Sequence, residues 1–144
     1  MIRPFVPQDL EQILNIWLET NLQAHPFVPA SYWRGQLEGV GQALPQAEVY
    51  VWEEEGRVLG FLGLVEDYIA GIFVRPGCQS AGVGKQLLDR AKEVREQLTL
   101  HVYRKNTRAA AFYRREGFSP LSEQTDPATG EEELEMVWRE GPLC

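Results

Sequence analysis

Apolar and polar positions follow two periods along this chain, and the switches between them mark its elements. Ile2 to Phe5 reads as a short strand. Leu10, Ile13, Leu14, Trp17 and Leu18 then recur at helical spacing, with Asp9 as the cap and Gln12 as its capping-box partner. His25-Pro26-Phe27-Val28-Pro29 breaks that helix. A second, weaker helix is predicted from about Ala30 to Ala43, diluted by Gly35, Gly39 and Gly41. Alternation resumes at Glu48–Trp52, turns at Glu54-Glu55-Gly56-Arg57, and continues through Val58–Val65 and Asp67–Val74. Val83, Leu87, Leu88, Ala91 and Val94 form one face of a third helix. Leu98–Tyr103 is a strand, and Asn106–Glu116 a helix closed by Gly117. Phe118–Ser122 and Glu133–Trp138 form a closing hairpin. The order β-α-α-β-β-β-α-β-α-β-β implies a mixed sheet flanked by helices.

The join between the sixth and seventh of these segments carries the chemistry. Val74-Arg75-Pro76-Gly77-Cys78-Gln79-Ser80-Ala81-Gly82-Val83-Gly84-Lys85 runs from an apolar strand through a glycine-rich loop into a helix. Such a loop presents free backbone N–H groups at the positive end of the helix dipole, an arrangement that holds phosphates. Two phosphate-binding patterns fail on inspection. A P-loop requires Lys and Ser/Thr where Val83 and Gly84 stand. A dinucleotide fingerprint requires a third glycine where Leu87 stands, and an acidic ribose ligand where the next strand ends in Tyr103-Arg104-Lys105. A cofactor with a pyrophosphate and no required metal fits better, and coenzyme A is one.

Gln79-x-x-Gly82-x-Gly84, preceded by Val74-x-Pro76, resembles the acyl-CoA-binding motif of the GNAT superfamily of N-acetyltransferases. The block Asn106-Thr107-Arg108-Ala109-Ala110-Ala111-Phe112-Tyr113, ending in Gly117-Phe118, resembles the next motif of that superfamily. The resemblance extends to Ile2-Arg3-Pro4 and Asp9-Leu10, and so covers essentially the whole chain. It implies an α/β (α+β) fold: a largely antiparallel seven-stranded sheet with about four helices. The parallel strands 67–74 and 98–103 would splay apart, and the acyl-CoA arm would lie in the gap.

The resemblance also implies roles. Gln79, Ala81, Gly82, Val83, Gly84 and Lys85 would cradle the pyrophosphate. Ile72, Phe73 and Val74 would pair their backbone with the pantetheine arm as an added strand does. Asn106 and Ala109 would contact the cofactor arm, while Asn106 is equally placed to cap its helix. Tyr113 would be the general acid, since a phenol with pKa near 10 stays protonated and can donate to a departing thiolate. Glu66, Asp67 and His101 are candidate bases, with a water relay the alternative. His25, Phe27, Trp33 and Tyr103 would bound the acceptor pocket. No metal is expected.

Composition agrees with this reading. A chain of 144 residues, 44% hydrophobic and 24% charged, is predicted to fold as one domain over residues 1–144. Its net charge of −7 disfavours nucleic acid and anionic membranes and mildly favours a cationic acceptor. Cys78 and Cys144 show neither metal-ligand nor disulfide spacing. No segment reads as a signal peptide or membrane span, so a cytoplasmic location is expected. The expected activity is transfer of acetyl from acetyl-CoA to a primary amine on a small molecule, peptide or protein, by direct attack in a ternary complex. The alternative is a non-catalytic acyl-CoA-binding regulatory module. A monomer or homodimer is expected.

Overall fold

The computed structural model describes residues 1–79 and 81–141; Ser80 of the glycine-rich loop and Cys144 lie outside them. In chain order the elements are β1 (Ile2–Pro4), α1 (Leu10–Ala24), α2 (Ala30–Ala43), β2 (Glu48–Glu54), β3 (Arg57–Val65) and β4 (Tyr68–Val74). There follow α3 (Val83–Val94), β5 (Gln97–Tyr103), α4 (Thr107–Arg115), β6 (Ser119–Thr125) and β7 (Glu132–Arg139). The strands form one seven-stranded sheet ordered β1-β2-β3-β4-β5-β7-β6. Every neighbouring pair is antiparallel except β4–β5. This is the mixed, largely antiparallel seven-stranded sheet that the resemblance implies. Among the described residues no helix is long and apolar enough to cross a membrane.

Each face of the sheet is covered by one pair of helices. Leu98, Leu100 and Val102 of β5 pack with Val83, Leu87, Leu88 and Ala91 of α3 and with Ala110 and Tyr113 of α4. On the opposite face, Val49, Val51, Val58 and Phe61 pack with Ile13 and Ile16 of α1. The central strand β3 is buried from Val58 to Leu64 because it lies between both layers.

Local departures from the sequence pattern have physical causes. Asp9 does not cap α1 with its side chain, and Gln12 forms no capping box. The Arg3 guanidinium grips both Asp9 oxygens at 2.8 and 2.9 Å, and the Val6 N–H donates to the same carboxylate at 2.9 Å. Those charge-assisted bonds outcompete a neutral cap. Gln12 instead accepts the Val58 N–H at 2.9 Å, tying α1 to β3. The buried stripe of α1 is turned toward Ile16 and Thr20, leaving Leu18 half-buried. β6 begins one residue late because Phe118 turns into the core, and it runs on to Thr125 because β7 pairs with it as far as Glu132.

Candidate active site

The site begins where the sheet comes apart. β4 and β5 pair only at Tyr68–Thr99 and Ile69–Leu100. On the other side of β4, Gly63 pairs with Gly71 while Leu64 pairs with Ile69, so Ala70 is an extra, bulged residue. A bulge raises local twist and ends pairing. Beyond it β4 follows β3 and β5 follows β7, and a gap opens toward the C-terminal ends of both strands. The backbone of Ile72, Phe73 and Val74 runs along that gap without β5 as a partner. Unpaired strand backbone is a template for an added extended chain.

β4 delivers the glycine-rich loop at the mouth of the gap. Pro76-Gly77 forms a turn closed by the Cys78 N–H on the Arg75 carbonyl at 2.9 Å, with Gly77 at φ 91°. Gly82 caps α3 in the left-handed conformation, φ 78°, with no side chain closing the helix end. The first bond within the helix runs from the Gln86 N–H to the Gly82 carbonyl at 3.1 Å. The N–H groups of Val83, Gly84 and Lys85 stand ahead of it with no intrahelical acceptor. An open helix start without a competing side-chain cap is the arrangement a diphosphate requires, so these residues fit the coenzyme. The Gln79 amide folds back on the Val74 carbonyl at 3.4 Å. Arg75 is turned away, with its guanidinium on the Val58 carbonyl at 2.9 Å, and Lys85 pairs with Glu116 at 3.0 Å.

α4 flanks this loop. A Cβ at Gly84 would stand 3.9 Å from the Phe112 ring, so the Phe112-Tyr113 pair sits beside the start of α3. The Asn106 side-chain oxygen accepts the Ala109 N–H at 3.2 Å and caps α4. Tyr113 lies in the core, its ring against Phe112 and Phe118. Burial holds its phenol well above the usual range, and the nearby Tyr68 adds to the shift. Tyr113 keeps 9% of its surface exposed, and Trp33 Nε1 is the one sealed side-chain polar atom without a partner among the described residues.

The predicted acceptor residues converge. His25 lies 5.6 Å from Phe27, 5.4 Å from Trp33 and 5.0 Å from Tyr103, ring centre to ring centre. Tyr103 donates to Asp126 at 2.8 Å. Next to this cluster, Tyr68, His101, Glu133 and Glu135 share a sheet face. His101 Nδ1 stands 3.5 Å from the Tyr68 hydroxyl and 3.7 Å from Glu133, and Nε2 stands 4.0 Å from Glu135. Burial raises the Tyr68 phenol, and the fields of Glu133, Glu135 and Asp126 raise it further. Three carboxylates thus act on Tyr68 from β7 and the β6–β7 turn.

Glu66 and Asp67 do not join this group. They occupy the β3–β4 turn at the closed end of the β4–β5 pair, where Arg95 donates to the Glu66 carbonyl at 2.9 Å and lies 3.7 Å from the Asp67 carboxylate. Tyr68 and Asn21 are neighbours of the site that sequence reading passed over. Tyr68 opens the strand leading to the glycine loop, and Asn21 is a polar residue on the buried stripe of α1. The polar Asn21 on that stripe is a readable signal, whereas the place of Tyr68 depends on how the strands pair. No group of three or more His, Cys, Asp and Glu side chains among the described residues is placed to hold a metal ion. Two surface recesses, of about 610 and 460 Å³, lie between α4 and β6 and between α3 and β1–β2, away from the gap.

A sheet parted at a β4 bulge, with an uncapped glycine-rich helix start at its mouth and a buried tyrosine alongside, is the architecture expected of an acyltransferase fold. Residues 45–120 match the family model described as acetyltransferase (GNAT) domain, and the chain belongs to that family of N-acetyltransferases. More particularly, it is 40% identical over 120 residues to the peptidyl-lysine N-acetyltransferase YiaC of Escherichia coli strain K12, covering 82% of each chain. It is 29% identical over 135 residues to the peptidyl-lysine N-acetyltransferase YjaB of Salmonella typhimurium, covering 92% of this chain and 87% of that one. The solution structure of apo YjaB from Escherichia coli superposes with a TM-score of 0.85 at 26% identity, over 96% of each chain.

Proposed function

We propose that this acetyltransferase moves the acetyl group of acetyl-CoA onto the ε-amine of lysine in a peptide or protein, by direct attack in a ternary complex. The observation that carries the reading is the gap itself. It has main-chain donors at its mouth, Tyr113 beside it and carboxylates on its acceptor side. The relatives named as peptidyl-lysine acetyltransferases support the choice of acceptor.

Bound acetyl-CoA supplies an activated acyl thioester. The backbone N–H groups of Gly82 to Lys85, with Gln79, would hold its pyrophosphate, the Ala81 N–H being bonded to the Cys78 carbonyl at 3.3 Å, and Ile72, Phe73 and Val74 would align its arm along β4. Asn106 and Ala109 would meet that arm at the head of α4. Tyr113, protonated at all working pH values, would give its proton to the departing thiolate.

The amine poses the larger problem. At pH 7 a lysine side chain is neutral to roughly one part in a thousand, a penalty of about 4 kcal/mol. Glu133, Glu135 and Asp126 would draw in the ammonium form. His101, set between two of these carboxylates and beside Tyr68, is the base we carry forward. Glu66 and Asp67 are held by Arg95 at the closed end, which argues against either as base. The aromatic rings of Phe27, Trp33 and Tyr103 would flank the aliphatic stem.

The test is turnover with acetyl-CoA on lysine-bearing peptides, on the same peptides with lysine replaced by glutamine, and on small polyamines. Mass spectrometry should place one acetyl group on lysine Nζ and none on the glutamine peptides. Acetylation of polyamines alone, or of peptide N-termini alone, would overturn the acceptor assignment.

A further inference from the structure

The structure assigns His25 a positioning role: held as the Nδ1–H tautomer, it fixes the side-chain amide of Asn106 and so locks the head of α4 to the last turn of α1. The inference rests on the acetyl-transfer reading, because Asn106 and Tyr113 are placed on that reading at the coenzyme arm and the leaving thiolate.

The bond directions are determined from both ends by backbone groups. The Asn106 oxygen accepts the Ala109 N–H at 3.2 Å, so the other end of that amide is its NH₂. This NH₂ faces His25 Nε2 at 3.1 Å and can only donate. Nε2 must therefore carry a lone pair, and a neutral imidazole then bears its proton on Nδ1. Nδ1 lies 3.1 Å from the Asn21 side-chain oxygen. The Asn21 NH₂ in turn donates to the Trp17 carbonyl at 2.9 Å, which fixes that amide as well. A single directional chain thus runs Ala109 N–H to Asn106, Asn106 to His25, His25 to Asn21, and Asn21 to Trp17. It joins groups 81 residues apart at its second link.

The setting suits a permanent link rather than a proton carrier. Rings of Phe27, Trp33 and Tyr103 wall the imidazole, and Asn21 is almost fully buried. Both ring nitrogens are already committed. A protonated ring would set a second N–H against the Asn106 NH₂, and burial holds the His25 pKa down to about 4. His25 is therefore neutral at working pH. Its place between the acceptor-side loop and the α4 cap gives it a lever on Asn106 without any contact with the reacting atoms.

The link predicts a specific pattern of rescue. In His25→Gln the side-chain oxygen can reach the place of Nε2 and accept from Asn106. In His25→Asn the amide reaches only the place of Nδ1, keeping the Asn21 bond and losing the Asn106 bond. We expect kcat/KM for acetyl-CoA, read with a lysine peptide, to fall about tenfold in His25→Asn, the size of one well-made hydrogen bond, and to be several-fold higher in His25→Gln than in His25→Asn. On an Asn106→Ala background, His25→Asn should cost nothing further. Equal losses in the two His25 variants, or additive losses with Asn106→Ala, would overturn the role. Should His25→Asn fail to fold by circular dichroism, ¹⁵N imidazole spectra of the parent protein still decide. A protonated Nδ1 with a bare Nε2 supports the inference, and a proton on Nε2 ends it. A parent protein that shows this tautomer yet turns over no acetyl-CoA would refute the functional reading and leave the hydrogen-bond assignment standing.

Discussion

Placing a methyl group on Gly60 tests how the sheet positions the glycine-rich loop. A Cβ there would lie 2.8 Å from the Phe73 carbonyl oxygen, 3.0 Å from Val83 Cγ1 and 3.4 Å from Leu87 Cδ1. The first distance is well inside the approximately 3.3 Å at which carbon ordinarily meets a carbonyl oxygen. The crowded oxygen belongs to β4, one residue before its end, and the crowded methyl to the first residue of α3. Relief requires the strand or the helix start to move, and both flank the gap. Overpacking of this kind costs about 1–3 kcal/mol. The smaller unfolded-state entropy of alanine returns about 0.4–1 kcal/mol. A net loss of about 1–2 kcal/mol is expected. Gly63, on the same strand, is the control. Its added Cβ would meet only Ala70 Cβ at 3.9 Å, ordinary contact, so Gly63→Ala should be neutral or stabilising by about 0.5 kcal/mol. Urea denaturation of both variants, with calorimetric titration of CoA into each, reads stability and binding. Gly60→Ala should have the lower midpoint and bind CoA more weakly than Gly63→Ala. Equal midpoints and equal affinities would show that the β3–α3 contact does not position the loop.

Three other outcomes follow from the geometry. Tyr113→Phe should lower kcat by about 10²- to 10⁴-fold while leaving acetyl-CoA binding near the parent value, and an unchanged kcat across neutral pH would remove Tyr113 as the acid. His25 predicts an acid loss of stability: between pH 6.5 and about 4 the unfolded chain takes up a proton that the folded ring refuses, so stability falls as pH falls through that window. The full shift is worth about 3 kcal/mol and the partly open ring keeps about 2 kcal/mol of it, so His25→Gln should show a visibly smaller loss from pH 7 to pH 4 in urea titrations; parallel profiles would contradict this. Asp9→Asn should destabilise by about 1–3 kcal/mol at pH 7, because Arg3 loses a charged partner at a nearly buried site. Arg3 holds the Asp9 carboxyl below its ordinary range, so that deficit should persist down to about pH 4 and close only as pH drops through the depressed value.

What the sequence made legible was local. Gly82 and Gly84 at a helix start, Asn106 at the next helix start and Gly117 past its end each carry their meaning within a few residues. The structure starts α3 at Gly82, caps α4 with the Asn106 side chain and puts Gly117 in the left-handed region past the end of α4. The extent of β4 was legible too, but not the bulge at Ala70. Nothing in Tyr68-Ile69-Ala70-Gly71 distinguishes an extra residue from a regular alternation, and the bulge decides where the gap begins. His25, Phe27, Trp33 and Tyr103 were each predicted on the acceptor side from their places in the chain, but their stacking into one cluster depends on how α1, α2 and β5 meet. Asp9 misled because its short-range capping pattern competes with Arg3, a partner on β1 whose approach depends on how the chain turns between them. Tyr68 was overlooked for the same reason as the bulge: its value comes from facing Glu133 and Glu135 across two strands.

The central claim is that the open start of α3 and the free edge of β4 together hold acetyl-CoA. Backbone ¹H–¹⁵N spectra recorded during titration with CoA test it directly. The largest shifts should fall on Ala81 to Lys85 and on Ile72, Phe73 and Val74, with the Glu66–Asp67 turn silent. Shifts concentrated instead in the recess between α4 and β6, or none at saturating CoA, would contradict the account.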